Sequence, residues 1–182
     1  MSRKEMKWQG IIIGFAIITL AWIAYTTSYF AKPQPKTGIA PQKGFFAPDF
    51  TLTTLTGETI SLSDYYGKAV VLNIWASWCK PCQSEMPAIQ EMFERYEFED
   101  VVILAVNATS KDSLGNVQEF IEDYQLTFPV PLDIQGNVSS IYQVNALPTT
   151  FFIDSQGLIQ EIVIGGPMAE ALLDTRIQNL LD

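Results

Sequence analysis

Cys79 and Cys82 are the residues of this chain whose type and spacing most directly indicate chemistry. They are the only two cysteines among 182 residues, and they lie in the motif Trp78-Cys79-Lys80-Pro81-Cys82. Two thiols at this spacing can close and reopen a disulfide, so the bond itself can be the reactive group. A purely structural cross-link is the alternative, but so short a loop restricts the unfolded chain little and would stabilise the fold little.

The composition excludes several other uses of two cysteines. The chain has no histidine, so it cannot complete a four-ligand zinc site, and two thiols are too few for a cysteine-ligated iron–sulfur cluster. A c-type haem site needs a histidine directly after the second cysteine, where this chain has Gln83. Hydrolases of the Ser-His-Asp or Cys-His kind would lack their imidazole base. We therefore predict no metal, and no cofactor other than the Cys79–Cys82 disulfide.

The charge of the chain also limits its partners. The net charge is −9, and because the first ten residues are basic, the remainder is more acidic still. An acidic surface repels nucleic acids and anionic lipid headgroups, so we expect no nucleic-acid partner. The hydrophobic content of 48% is enough to form a core.

The cysteine motif lies between a predicted buried strand and a predicted helix. Residues 68–75 are β-branched and apolar almost throughout, as in a central strand. Pro81 suits the first turn of a helix. Cys79 would then lie at the helix N-terminus, where free N–H groups, the macrodipole and Lys80 favour a thiolate. We expect its pKa to lie below the value of about 8.5 for a free thiol, with Cys79 attacking and the more enclosed Cys82 resolving.

The apolar pattern of residues 48–182 predicts an α/β domain. An N-terminal β-hairpin is followed by the order β-α-β-α-β-β-α, which indicates a mixed sheet flanked by helices. Residues 128–132 are predicted as a peripheral strand because they contain Pro129 and Pro131. A final helix is predicted to begin at Pro167. Its predicted inward-facing residues are Met168, Leu172, Ile177 and Leu180.

The N-terminal segment predicts a membrane anchor. Residues 11–30 contain no charged side chain, and about twenty helical residues span a hydrocarbon core of roughly 30 Å. The basic residues before this segment predict that residues 1–10 stay in the cytoplasm and that the domain faces outward. A buried core helix is disfavoured because the segment is apolar on every face. A cleaved signal peptide is the main alternative, although Tyr29 stands where cleavage after Ala31 needs a small residue.

The predicted organisation is therefore a single-pass protein of the cell membrane. It comprises a cytoplasmic N-terminus (1–10), a transmembrane signal-anchor (11–30), a linker (31–47) and the outer domain (48–182). The linker is predicted because residues 31–47 hold three prolines and two glycines and show no apolar period.

Several motifs together resemble the thioredoxin superfamily. The W-C-x-P-C motif follows a hydrophobic strand, and the segment LPTTFFID, which begins at Leu147, comes later in the chain. Residues 47–52 and 120–132 resemble more narrowly the ResA/TlpA kind, which are membrane-anchored extracytoplasmic thiol–disulfide oxidoreductases. By this resemblance Pro148 follows a cis peptide bond beside the cysteines and exposes the Leu147 backbone to an extended client segment. Trp78 would then belong to the client-docking surface.

Two positions depart from the family pattern. Thioredoxins keep a buried aspartate six residues before the first cysteine as the proton acceptor for the second, but here Asn73 stands there and cannot ionise. ResA-type members often place glutamate between the cysteines, where this chain has Lys80. A lysine favours the thiolate, so we expect a more oxidising couple than glutamate would give. Glu85, one turn after Cys82, is a candidate base, and a solvated helix carboxylate is the alternative.

The leading hypothesis is a membrane-tethered protein-disulfide reductase. The resemblance implies apocytochrome c or envelope and spore assembly proteins as clients, and a membrane thiol carrier as electron donor. A disulfide-forming oxidase is the main alternative. A thiol peroxidase is disfavoured because Ala76 stands where peroxiredoxins have threonine. A copper-binding or assembly module is disfavoured because such modules add a histidine to the two cysteines.

Overall fold

The computed structural model describes residues 3–30 and 38–181, and for residues 3–12 and 27–30 it describes only the backbone. The chain divides into two units, Met1–Gln34 and Pro35–Asp182. Part of the predicted linker, residues 31–37, lies outside the described residues.

The described residues of the first unit form one helix, α1 (Arg3–Phe30), which includes the predicted membrane segment. Within the residues that the structure describes, no helix combines the length and the apolar character needed to cross a membrane. The transmembrane segment over residues 11–30 therefore stays a prediction from the sequence.

The second unit is built on a seven-stranded mixed sheet. The strands are β1 (Thr51–Thr54), β2 (Thr59–Ser61), β3 (Ala69–Trp75), β4 (Val101–Asn107), β5 (Pro131–Leu132), β6 (Thr149–Ile153) and β7 (Ile159–Ile164). Their order in the sheet is β2-β1-β5-β4-β3-β6-β7. β3 pairs in parallel with β4 and antiparallel with β6, so it lies inside the sheet. The helices are α2 (Lys80–Arg95), α3 (Leu114–Asp123), α4 (Asn137–Ile141) and α5 (Glu170–Leu181). The predicted α/β fold with an N-terminal hairpin is confirmed.

The two faces of β3 supply two separate hydrophobic clusters. Every residue of β3 is buried, and side chains alternate between the faces of a strand. Val70, Leu72 and Ile74 join a cluster with Val106 and Ile153. The opposite face carries Val71 and Trp75, which pack in a second cluster with residues of α2, α3 and α5. Asn73 shares this second face by its position in the alternation, so its side chain lies on the α2 side of the sheet.

The predicted peripheral position of residues 128–132 is wrong. Only Pro131–Leu132 form a strand, β5, and this strand lies between β1 and β4 inside the sheet. β5 pairs with β1 at two positions and with β4 at one. The prolines limit the length of the strand because a proline cannot donate a backbone hydrogen bond, but they do not move it to an edge.

The last helix also differs from the prediction. It begins at Glu170 rather than at Pro167, which follows a cis peptide bond with Gly166. Leu172, predicted to face inward, is 47% exposed, whereas Leu173 is buried. The shift follows from helical spacing, because Leu173 and Ile177 are four residues apart and therefore share one face.

Candidate active site

The two cysteines form a disulfide at the point where the chain leaves β3 and enters α2. Cys79 is the N-cap of α2, and Pro81 lies in its first turn. The Cα atoms of Cys79 and Cys82 are 5.2 Å apart. Cys79 is 4% exposed and Cys82 is completely buried. Cys79 is thus the more exposed of the two cysteines, in keeping with the attacking and resolving roles predicted from the sequence.

The helix N-terminus directs positive potential at the sulfur of Cys79. The Cys82 backbone N–H donates a hydrogen bond to Cys79 Sγ at 3.3 Å. No acidic residue lies in the first turn of α2, and the exposed Lys80 side chain follows Cys79 directly. A free N–H group, the helix dipole and an ammonium group all stabilise negative charge on a thiolate.

The loop before β6 brings the predicted client-binding residues to the same place. The Leu147–Pro148 peptide bond is cis, as the resemblance to the thioredoxin superfamily implied. Pro148 is buried and Leu147 is half-buried. Among the described residues, the Leu147 backbone N–H and C=O have no hydrogen-bond partner. An unpaired main chain beside a disulfide offers one rung of a β-ladder to an incoming extended segment.

A shallow groove joins these parts. It has a volume of about 320 Å³ and is bounded by the cysteine motif on one side and by residues 144–147 on the other. Trp78 lines it and is 56% exposed, and its indole Nε1–H donates to the Lys111 carbonyl oxygen at 2.8 Å. Trp75, by contrast, is completely buried and donates to the Ala105 carbonyl oxygen at 3.1 Å. Trp75 is therefore a core residue, and Trp78 is the exposed aromatic residue at the groove.

Glu85 is buried on α2, three residues after Cys82, and the alternative of a solvated helix carboxylate is wrong. Its side chain is 1% exposed. Glu85 Oε1 accepts a hydrogen bond from Asn73 Nδ2 at 2.9 Å, and Oε2 accepts one from the Met168 backbone N–H at 3.1 Å. Burial raises the pKa of Glu85 above its ordinary value, and these two hydrogen bonds oppose the rise without cancelling it. Cys82 and Glu85 are three residues apart on α2, so they share one helix face.

Asn73 connects Glu85 to the sheet. It pairs with Thr150 across β3 and β6, and its Nδ2 also donates to Thr150 Oγ1 at 2.9 Å. Its Oδ1 is buried and has no hydrogen-bond partner among the described residues. The position held by aspartate in thioredoxins is thus occupied here by a neutral side chain that holds a carboxylate coming from the neighbouring helix.

Gly166 is a site residue that the sequence analysis missed. A Cβ atom placed there would lie 2.6 Å from Glu85 Oε2 and 2.8 Å from Pro148 Cγ. Real Cβ contacts are essentially never closer than 3.0 Å, so only glycine fits between the carboxylate and the proline. The sequence does show the pair Gly165-Gly166 before Pro167. It does not show that Gly166 lies against Glu85 and Pro148, because that contact joins segments far apart in the chain.

Asp112 is a second missed residue, and it holds the loop that precedes Cys79. Its carboxylate accepts hydrogen bonds from the Ser77 backbone N–H at 2.6 Å and from Ser77 Oγ at 2.7 Å. It accepts two more from Asn107 Nδ2 and the Ser113 backbone N–H. Burial alone would raise the pKa of Asp112, but the hydrogen bonds, those from Ser77 above all, hold it below its usual value.

A reactive-site disulfide at a helix N-terminus, beside a cis-proline and on a mixed sheet of this strand order, defines a thioredoxin-like thiol–disulfide oxidoreductase. The chain belongs to the AhpC/TSA family, whose sequence model matches residues 44–162.

Comparison with curated relatives and solved structures indicates which kind of oxidoreductase this is. The thiol-disulfide oxidoreductase ResA of Geobacillus kaustophilus is 44% identical over 163 residues, which cover 87% of this chain and 90% of that protein. The thioredoxin-like protein YneN of Bacillus subtilis is 41% identical over 161 residues, which cover 87% of this chain and 90% of that protein. A crystal structure from Chlorobium tepidum, provisionally assigned as the thiol:disulfide interchange protein DsbE, superposes with a TM-score of 0.71 at 34% identity. The superposition covers 78% of this chain and 99% of the chain in that crystal structure. The protein is therefore a thiol–disulfide oxidoreductase of the ResA/DsbE type.

Proposed function

We propose that this protein reduces disulfides in client proteins outside the cytoplasm, while tethered to the membrane. The observation that carries the exchange reaction is that the Cys79–Cys82 disulfide and the unpaired Leu147 main chain lie at one groove. The reducing direction rests on the resemblance to the ResA/TlpA kind. This arrangement suits a client that presents its own disulfide in an extended segment. The main chain of such a segment would pair with Leu147, while one of its sulfurs would lie near Cys79.

The proposed reaction begins with the reduced protein. The Cys79 thiolate attacks one sulfur of the client disulfide, which forms a mixed disulfide and expels the other client sulfur as a thiolate. Cys82 then loses its proton and attacks Cys79 Sγ, which closes the Cys79–Cys82 disulfide and expels the second client thiolate. Two electrons pass from the protein to the client, and the protein ends in the oxidised state that the structure describes.

We assign Glu85 as the acceptor of the Cys82 proton. It shares a helix face with Cys82, it is buried, and burial raises its pKa toward the range in which a carboxylate is an effective base. Asn73 suits both protonation states of Glu85. Its Nδ2 donates to the carboxylate, and rotation of the amide would turn its unpaired Oδ1 to accept from the protonated acid.

Trp78 and Pro148 complete the proposed docking surface. Trp78 offers an exposed indole whose orientation is fixed by the hydrogen bond to Lys111. Pro148 is buried and holds the Leu147 backbone in its cis arrangement. An aromatic side chain and a main chain that are already ordered lose little conformational entropy when an extended segment binds, so binding is more favourable.

The location and partners in this proposal come from the sequence. The uncharged residues 11–30 would anchor the chain, with residues 1–10 in the cytoplasm and the domain outside. A reducing dithiol in an oxidising compartment needs a supply of electrons, for which we propose a membrane thiol carrier. The resemblance to the ResA/TlpA kind suggests apocytochrome c or envelope and spore assembly proteins as clients. Protease digestion of intact protoplasts tests the orientation, since only an outward-facing domain would be cut.

A disulfide-forming oxidase is the second candidate, and Lys80 is the observation that favours it. A positive charge beside Cys79 stabilises the thiolate and therefore the reduced form, which makes the couple more oxidising. The reduction potential separates the two candidates. A value near about −120 mV, which is typical of strong periplasmic oxidants, would support the oxidase, and a value well below it would support the reductase.

The experiment that tests the proposed function is a covalent trap. In Cys82→Ser the mixed disulfide between Cys79 and a client cannot be resolved, so the full-length variant should accumulate on its clients in the membrane fraction. Cys79→Ser is the matched control, since it keeps one buried thiol but lacks the attacking one. Non-reducing gels and mass spectrometry would identify the captured proteins. If both variants captured the same proteins, or neither captured any, the exchange mechanism would be wrong.

A further inference from the structure

Two lysines line the groove beside the disulfide, although the domain as a whole is acidic. Lys80 and Lys111 both line the groove and both are exposed, and no carboxylate lines it. The other lysines among residues 38–181 are Lys43 and Lys68, and neither lines this groove. Within the described residues, the side chains of Lys80 and Lys111 form no ion pair, whereas Arg95 and Arg176 do.

The position of Lys111 is fixed relative to the cysteine motif. Its backbone N–H donates to the Ala108 carbonyl oxygen at 2.8 Å, and its own carbonyl oxygen accepts from the Trp78 indole at 2.8 Å. The adjacent Asp112 does not line the groove, and its carboxylate accepts four hydrogen bonds from Ser77, Asn107 and Ser113. The groove is therefore lined by Cys79 and by two exposed lysines, whereas the neighbouring carboxylate holds the loop before Cys79.

We propose that the groove selects client segments that carry aspartate or glutamate close to the disulfide. This inference rests on the proposed function, and it names the chemical class of the client. Lys80 and Lys111 would pair with the client carboxylates while the client main chain lies along Leu147. At physiological salt, charges more than about 8 Å away are largely screened. The local lysines, and not the net charge of the domain, then decide which segment docks.

Three matched peptides would test the proposal. Each holds one intramolecular disulfide in the same sequence, flanked by aspartates, by lysines or by serines, and a fluorophore–quencher pair reports its opening. We expect the reduced full-length protein to open the acidic peptide about tenfold faster than the basic peptide in 50 mM salt. At 1 M salt, where the screening length is about 3 Å, the rates should converge.

Charge-reversal variants locate the effect. Lys111→Glu should bring the ratio of acidic to basic rates close to one, and comparing ratios removes any change in the intrinsic reactivity of Cys79. Lys68→Glu is the matched control, because it makes the same charge change just before β3, at the far end of that strand from the cysteines. A seven-residue strand is about 23 Å long. The control should therefore keep the wild-type ratio.

The outcomes separate this proposal from the proposed function. The acidic-client proposal would be overturned if the wild-type protein opened the basic peptide as fast as the acidic one. It would also be overturned if Lys68→Glu lowered the ratio of acidic to basic rates as much as Lys111→Glu does. A serine-flanked peptide that stays closed would instead overturn the reductase function. Binding of serine-for-cysteine analogues to the oxidised protein, measured by fluorescence anisotropy, would in that case still decide the charge preference of the groove. Tighter binding of the acidic analogue supports the proposal, and equal or weaker binding contradicts it.

Discussion

Gly166→Ala is the substitution whose cost can be worked out most directly from the structure. The new Cβ would lie 2.6 Å from Glu85 Oε2 and 2.8 Å from Pro148 Cγ. Neither neighbour can retreat easily, because Pro148 is a buried ring and Glu85 is a buried side chain held by Asn73 and by the Met168 backbone. We expect the substitution to displace the Glu85 carboxylate and to break its bond to the Met168 N–H.

The free energy has two parts. Overpacking of a well-filled site costs about 1–3 kcal/mol. A buried donor left without its acceptor, here the Met168 N–H, adds about 1–3 kcal/mol. The expected destabilisation is therefore about 2–6 kcal/mol, which lowers Tm by roughly 4–24 °C in a domain of this size. Thermal unfolding followed by circular dichroism measures the stability, and single-turnover reduction of a disulfide peptide measures the effect on the reaction.

Gly115→Ala is the matched control for Gly166→Ala. It makes the same chemical change in α3, where the new Cβ would meet no heavy atom within 4 Å apart from its chain neighbours and the backbone of its own helix. Alanine is favoured over glycine in helices, so this variant should be unchanged or more stable by up to about 1 kcal/mol. The reasoning would be refuted by a Gly166→Ala protein with the wild-type Tm and the wild-type rate of mixed-disulfide resolution.

Two further predictions concern the two carboxylates of the site. Glu85→Gln should slow resolution of the mixed disulfide by Cys82 by about 100-fold or more, while the first attack by Cys79 changes little. Quenched-flow mass spectrometry separates the steps. Because the pKa of Glu85 is raised, the wild-type resolution rate should increase with pH through a step above the ordinary glutamate range, and the variant should lack that step. Equal slowing of both steps would contradict the assigned role. Asp112→Asn should lower stability at pH 7. The pKa of Asp112 is lower in the folded protein than in the unfolded chain, where it is about 3.9, so the ionised carboxylate stabilises the fold at any pH above that value. Chemical denaturation should show that the difference in free energy of unfolding between wild type and variant shrinks as the pH falls below about 4. A difference that stays constant with pH would show that the charge of Asp112 is not responsible.

Local patterns in the chain were sufficient to predict the main elements of the fold. The uninterrupted apolar character of β3 indicated a central strand, and Pro81 indicated where α2 begins. Predictions failed where the outcome depended on pairing between distant segments. The short β5 is interior because β1 and β4 both pair with it, and its prolines could not reveal that. On α5, Ile177 and Leu180 pack inward as predicted, but Leu172 is exposed and Leu173 is buried in its place. The contacts of the helix with distant segments decide which of these two neighbouring leucines faces the core.

What the sequence determined by itself was the chemistry of the site. Two cysteines at this spacing, a missing histidine and a proline in the first helical turn already predict a redox-active disulfide at a helix N-terminus. Only the tertiary structure decided the environment of that disulfide. Burial of Glu85 against Asn73, the fit of Gly166 beside Pro148 and the position of Lys111 on the groove all join segments far apart in the chain. Desolvation, steric fit and local charge depend on which distant atoms are neighbours, and spacing along one segment does not contain that information.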